Sequence, residues 1–216
     1  MSEEFVILVD ENDNPIGSEE KVKCHLPNGK LHRAFTALLF DVEGRLALTR
    51  RAKKKMLWPN DWDGTFASHP REGETYVSSG ERRMPEELGI NGTLDYLHKF
   101  EYHVPYKDVG SENEVCGTLI GIIEKSTELK EIEGEIDEIK WISAKDLLLE
   151  IKTNPQIYCP WMLIALELLD KSEKSVLEKH ANVLSTWVNS EIHDALQEAI
   201  KIHLPNDKWR LVNEKN

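Results

Sequence analysis

Between Ser68 and Ile90 the chain reads Ser68-x5-Glu74-x7-Arg82-Arg83-Met84-x-Glu86-Glu87-x-Gly89-Ile90. No other stretch constrains the fold as tightly, because this one needs a loop, a helix and a glycine stop in fixed order. A helix expected over about Tyr76 to Leu88 brings positions 83, 86 and 87 to one face by i, i+3, i+4 geometry. Two carboxylates and a guanidinium on that face suit a divalent cation and the phosphates it carries. A merely solvated helix would account for the charges, but not for Gly89 after Leu88 or the spacing back to Glu74. Pro85 inside the helix costs about 3 kcal/mol in an ordinary interior and predicts a bend near the site.

The net charge of −12 argues against nucleic acid or an anionic membrane as partner. Basic residues that hold phosphates must then be concentrated locally, as they are in Arg50, Arg51, Lys53, Lys54 and Lys55. Three cysteines, Cys24, Cys116 and Cys159, have no framework spacing and fit a reducing cytoplasm. Buried, inert thiols are the simpler reading of Cys24 and Cys116. The acidic start Met-Ser-Glu-Glu runs straight into a strand-like Phe5–Val9, unlike a signal peptide, and no apolar run approaches a membrane span.

The rest of the chain predicts a mixed α/β (α+β) sandwich with sheet between helices. Phe5–Val9 and the Asp10–Pro15 turn come first; Ala34–Asp41 and Leu46–Thr49 read as a hairpin. Further strands are expected at Asp95–His103, Glu114–Glu124 and Glu138–Ile142. A helix follows the Ser143 cap and another starts at Pro160. Two amphipathic helices, about Ser175–Val188 and Ser190–His203, are expected to finish the chain. Residues 1–170 would form the catalytic domain and 171–216 a helical extension packed on it, as packing or dimer surface; the state expected is monomer or homodimer.

His25-Leu-Pro-Asn-Gly-Lys-Leu-His32 is nearly symmetric about Asn28-Gly29, a hairpin signal that would place His25 opposite His32, Cβ atoms about 5 Å apart. Glu112 and Glu114, at i and i+2 on a strand, leave the same face. His69 lies beside the box. Any one of these histidines alone is more often structural. Together, three imidazoles and two carboxylates make a mixed site for manganese, magnesium or zinc.

The box resembles the Nudix box, with Ser68 for its first glycine and Arg83 for the glutamate after arginine. In Nudix hydrolases that glutamate helps hold the metal that activates water. Arginine there is instead what type I isopentenyl diphosphate isomerases carry, and the likeness to that family extends from about His25 to Trp161. It implies a Nudix-like fold, with His25, His32, His69, Glu112 and Glu114 as metal ligands. It also implies that Lys21, Arg51, Lys55 and Arg83 hold the substrate diphosphate, and that Glu87 holds a second ion, Mg2+, bridging to it. Thr49-Arg-Arg-Ala52, Trp58-Pro59, Trp62, Glu112-Asn-Glu-Val-Cys116 and Pro160-Trp161-Met162 also have counterparts.

In that family a double bond moves by adding one proton and removing another, through a tertiary carbocation. The resemblance implies Trp161 as the cation-tolerant wall and Glu114 with Tyr102 as the handlers of one proton. The family's cysteine for the other proton is replaced by Ala67, and the nearby Asp63-Gly64 also depart from its usual residues, pointing to a branch without the thiol. Ser68, Thr65 or a held water are the replacements open to it. Three functions remain open on sequence: an isomerase with an altered proton relay, a Nudix-type hydrolase of a prenyl or nucleoside diphosphate, and a non-catalytic prenyl diphosphate binding protein.

Overall fold

The segment His32–Asp41 is buried along nearly its whole length, as its almost continuous apolar run requires of a strand covered on both faces. The computed structural model describes residues 4–206 and 208–212; the first three residues of the acidic start lie outside the described residues. In chain order the elements are β1 (Phe5–Val9), β2 (Pro15–Glu20), α1 (Lys21–His25), β3 (His32–Asp41), β4 (Leu46–Arg51), β5 (Trp62–Asp63), β6 (Phe66–Ser68), α2 (Tyr76–Leu88), β7 (Asp95–Tyr106) and β8 (Gly110–Ile123). They continue as β9 (Ile136–Ile142), α3 (Ala144–Thr153), α4 (Pro160–Glu167), α5 (Lys174–Lys179), α6 (Ala181–Leu184), α7 (Ser190–His203) and β10 (Trp209–Val212).

The sheet path is β10-β7-β8-β3-β1-β2, with β6 also on β3 and β4 joining β3, β5 and β9. Its axis is a parallel ladder from His32↔Glu114 to Asp41↔Ile123. That register sets a histidine beside a glutamate at one end of the central pair. The next strand pair, β7 with β8, puts Tyr102 opposite the same Glu114. The mixed α/β architecture agrees with the expectation.

The box helix runs unbroken from Tyr76 to Leu88 with an exposed Pro85. Thr75 and Ser78 close a capping box at its start, and Gly89 takes the left-handed conformation, φ 69°, at its end.

Four local expectations are corrected. No hairpin joins His25 to His32: His25 ends a helical turn, and Pro27 has no N–H to give a ladder. The β3–β4 hairpin survives only beside its turn, at Phe40↔Leu46, because β4 leaves β3 to pair with β9 from Leu46↔Ile142 onward. The helix expected over Ser175–Val188 is two short ones, broken near His180, whose ring is held by Asp95 at 2.7 Å. The described residues do not end in helices either: Trp209–Val212 adds a strand to the outer edge of β7, pairing backbone groups there.

Candidate active site

His25 is the last residue of α1, and its Nδ1 lies 2.6 Å from the Lys21 carbonyl one turn back. His32 opens β3 with Nδ1 2.8 Å from the Lys30 carbonyl. A carbonyl can only accept, so each ring carries a hydrogen on Nδ1 and turns its Nε2 inward. His69, just after β6, brings its Nε2 to 3.2 Å from that of His32. Glu114 Oε1 lies 3.3 Å from His32 Nε2 and 3.5 Å from His69 Nε2. One ligand atom each from His25, His32, His69 and Glu114 falls within 4.8 Å of all the others, a group that could hold a metal ion. Three imidazoles and a carboxylate converging in this way form a mixed nitrogen and oxygen donor set that suits a divalent cation.

Burial disfavours charge on His25 and His32, but Glu112 beside the first and Cys24 with Glu114 beside the second raise both imidazoles, His32 well above its usual value. Burial drives His69 well below an ordinary imidazole, helped by Lys21 and its two histidine neighbours, so it stays neutral. Burial pushes Glu114 up, but the hydrogen bond and charge of His32 outweigh it and leave the carboxyl low and ionised. Glu112, the fifth expected ligand, stands outside the 4.8 Å group; its Oε2 lies 3.0 Å from His25 Nε2, without hydrogen-bond geometry.

Beside this group is a cavity of about 120 Å³. Its lining includes Lys21, Arg51, Lys55, Ala67, Ser68, Tyr102, Cys116 and Trp161, together with His25, His69, Glu112 and Glu114. Tyr102 is buried and donates its hydroxyl hydrogen to Glu114 Oε2 at 2.6 Å. Burial and the neighbouring carboxylates push this phenol well above its usual range, so the hydrogen stays on oxygen. Trp58 and Tyr102 place ring centroids 5.3 and 6.3 Å from that of Trp161. Thr65 is ruled out as a proton donor, because its hydroxyl donates to the Ala47 carbonyl at 2.7 Å and accepts from the Leu39 amide at 2.8 Å. Burial raises the Cys116 thiol well above its usual value, so it remains protonated.

Every cation expected to hold diphosphate already has a carboxylate beside it. Lys21 pairs with Glu4 at 3.0 Å, Arg51 with Asp63 at 3.0 Å, and Lys55 with Glu135 in a very short contact. Arg83 reaches Glu86 at 2.5 Å and Glu87 more closely still. Arg83 and Glu87 lie on α2, outside the cavity lining. Burial raises Glu87 above its usual range against the pull of Arg83, and Glu135 adds to the rise. Sequence reasoning missed Glu135, which sits in an acid-rich run where nothing sets one residue apart. It noticed Asp63 only as a departure.

Residues 30–162 match the NUDIX domain family. The chain is 40% identical over 170 residues to the isopentenyl-diphosphate Delta-isomerase of Haloarcula marismortui, covering 74% of this chain and 88% of that protein. It is 38% identical over 160 residues to isopentenyl-diphosphate Delta-isomerase 1 of Photorhabdus laumondii, covering 73% and 90% respectively. Among solved structures, the DR0079 protein of Deinococcus radiodurans superposes with a TM-score of 0.59 at 22% identity, covering 75% of this chain and 97% of that one. At that identity the likeness speaks to the fold alone. With the box helix, the family match and these relatives all pointing the same way, the chain belongs to the NUDIX family and, within it, to the isopentenyl-diphosphate Delta-isomerases.

Proposed function

We propose that this chain interconverts isopentenyl diphosphate and dimethylallyl diphosphate, in the cytoplasm. The observation that carries the reading is the shared Glu114, with one oxygen in the histidine group and the other holding the Tyr102 hydroxyl beside the Trp161 ring. A proton added to the terminal methylene carbon forms a C–H bond and leaves a tertiary cation. Loss of a proton from the carbon next to the diphosphate-bearing one then gives the dimethylallyl double bond, whereas loss from a methyl returns the starting alkene, so the substrate must be held still. Lys21, Arg51, Lys55 and Arg83 hold the diphosphate, and the Trp161 face shields the cation. Glu114 with Tyr102 moves one proton. On the Ala67 side, where a methyl has none to give, Ser68 or a water it holds supplies the other.

His25, His32, His69 and Glu114, with Glu112 beside them, would hold Mn2+, Zn2+ or Mg2+, and Glu87 would hold Mg2+ against the diphosphate. Such ions neutralise charge and fix the carboxylates in place. The hydrolase reading is weaker, because Arg83 stands where the Nudix box has a metal-holding glutamate, and it reaches Glu86 at 2.5 Å. A binding protein without catalysis would have no use for the buried Tyr102–Glu114 pair.

Incubation with isopentenyl diphosphate and Mg2+ in deuterated water tests the proposal. Deuterium in a dimethylallyl product supports it. Released phosphate points to the hydrolase, and bound but unchanged substrate to the binding protein; either outcome overturns it.

A further inference from the structure

Asp63 is one of the most buried acids in the molecule, at 2% exposure, and it touches two parts of the site at once. Its Oδ1 accepts the Trp161 indole N–H at 2.7 Å and the Gly64 amide at 2.7 Å. Its Oδ2 accepts from Arg51 Nη1 at 3.0 Å. Arg51 is fixed further by donating Nε to the Trp58 carbonyl at 3.1 Å and Nη2 to the Leu57 carbonyl at 3.0 Å. The guanidinium carbon then lies 5.1 Å from the centroid of the Trp161 ring.

That last distance creates a conflict. A ring that already faces one cation is a poor host for a second, because its negative face is partly used and the two positive charges repel. Asp63 answers both problems. Its carboxylate balances the Arg51 charge, and a carboxylate accepting the indole N–H pushes electron density into the ring.

We propose that Asp63 is a positioning residue for the isomerisation: by joining Arg51 to the Trp161 indole N–H it lets the same ring sit beside a bound diphosphate and still stabilise the carbocation. The inference rests on the isomerase reading above. Position 63 can do this because β5 is short and pinned by Thr49↔Asp63 pairing, while Gly64 passes so close to Thr36 that an added Cβ would lie 3.1 Å from its hydroxyl oxygen.

The test compares binding of two diphosphates of equal shape to the metal-loaded protein. One carries a dimethylammonium group where the cation would form; the other has neutral carbon there. Wild-type protein should prefer the charged ligand, and Asp63→Asn should cut that preference at least fivefold while inorganic pyrophosphate still binds. Turnover should fall with little change in KM. A preference left intact in Asp63→Asn overturns the proposal. Should that variant fail to fold, Trp161→Phe, which lacks the N–H, should lose the same preference, and full retention there overturns it too. If wild-type protein neither isomerises nor prefers the charged ligand, the isomerase reading itself has failed.

Discussion

The Tyr102 hydroxyl and the Glu114 carboxylate meet at 2.6 Å because β7 and β8 pair these two residues directly, and the other Glu114 oxygen is left for His32. A phenol donating to a carboxylate that already faces an imidazole cannot drift; it is held from two sides. Removing the charge should therefore do more damage than removing the hydroxyl. Glu114→Gln should abolish detectable isomerisation, and Tyr102→Phe should slow it by roughly 10²–10⁴-fold, the usual contribution of one proton-transfer group. Deuterium exchange into product measures both. A Glu114→Gln protein with normal turnover would remove that residue from the mechanism.

Ala67 lines the cavity, at the position where the sequence resemblance implies a thiol. If the pocket keeps family geometry, Ala67→Cys restores an acid at a site already shaped for one. Turnover should rise at least about tenfold, short of the ~10²–10⁴ that an optimised acid contributes. No gain in a folded variant means that the proton now travels by another path.

Lys55 and Glu135 neutralise each other when no diphosphate is present. The pair is partly exposed, and such pairs are worth about 0.2–1 kcal/mol, so Glu135→Gln should tighten diphosphate binding by only about two- to fivefold. Titration with inorganic pyrophosphate reads this out. Weaker binding in the variant would mean that Glu135 assists the ligand instead of competing with it.

The histidine group predicts its own thermal signature. A metal present at 100 times its Kd adds about 2.7 kcal/mol to stability, or roughly 5–10 °C in a chain of this size. Mn2+ or Zn2+ should raise the Tm of chelator-treated protein by that amount and leave a His32→Gln variant almost unmoved. An equal rise in both would place the ion elsewhere.

Much of this arrangement is legible in the chain, for definite reasons. The box helix announces itself through its stop at Gly89, and Glu112 and Glu114 share a face because strands alternate. The His25–His32 meeting was expected for the wrong reason: the rings lie 4.7 Å apart at the ends of a helical turn and a strand, not across a ladder. Carboxylates that answer Lys55, Arg51 and Lys21 come from distant positions, so only tertiary structure could pair them. Likewise nothing local shows that Trp209–Val212 will find the edge of β7.

His98 gives the clearest pH test, away from the metal ligands. It is buried on β7 between the Ser172 hydroxyl, 2.9 Å from Nδ1, and the Thr118 hydroxyl, 2.9 Å from Nε2. Burial lowers its pKa to about 3, with only Asp170 pulling the other way. In the unfolded chain it titrates near 6.5, so below that pH the unfolded state takes up a proton that the folded state refuses. The stabilisation from the neutral ring is thus complete above pH 6.5 and shrinks by about 1.4 kcal/mol per pH unit below it, until about pH 3. His98→Gln removes the titration. Urea unfolding at pH 6.5 and 5.0 should show wild-type protein losing about 2 kcal/mol more than the variant over that interval. Parallel losses would mean that His98 is protonated in the folded protein, and that one of its two hydroxyl neighbours or a water has made room for the charge.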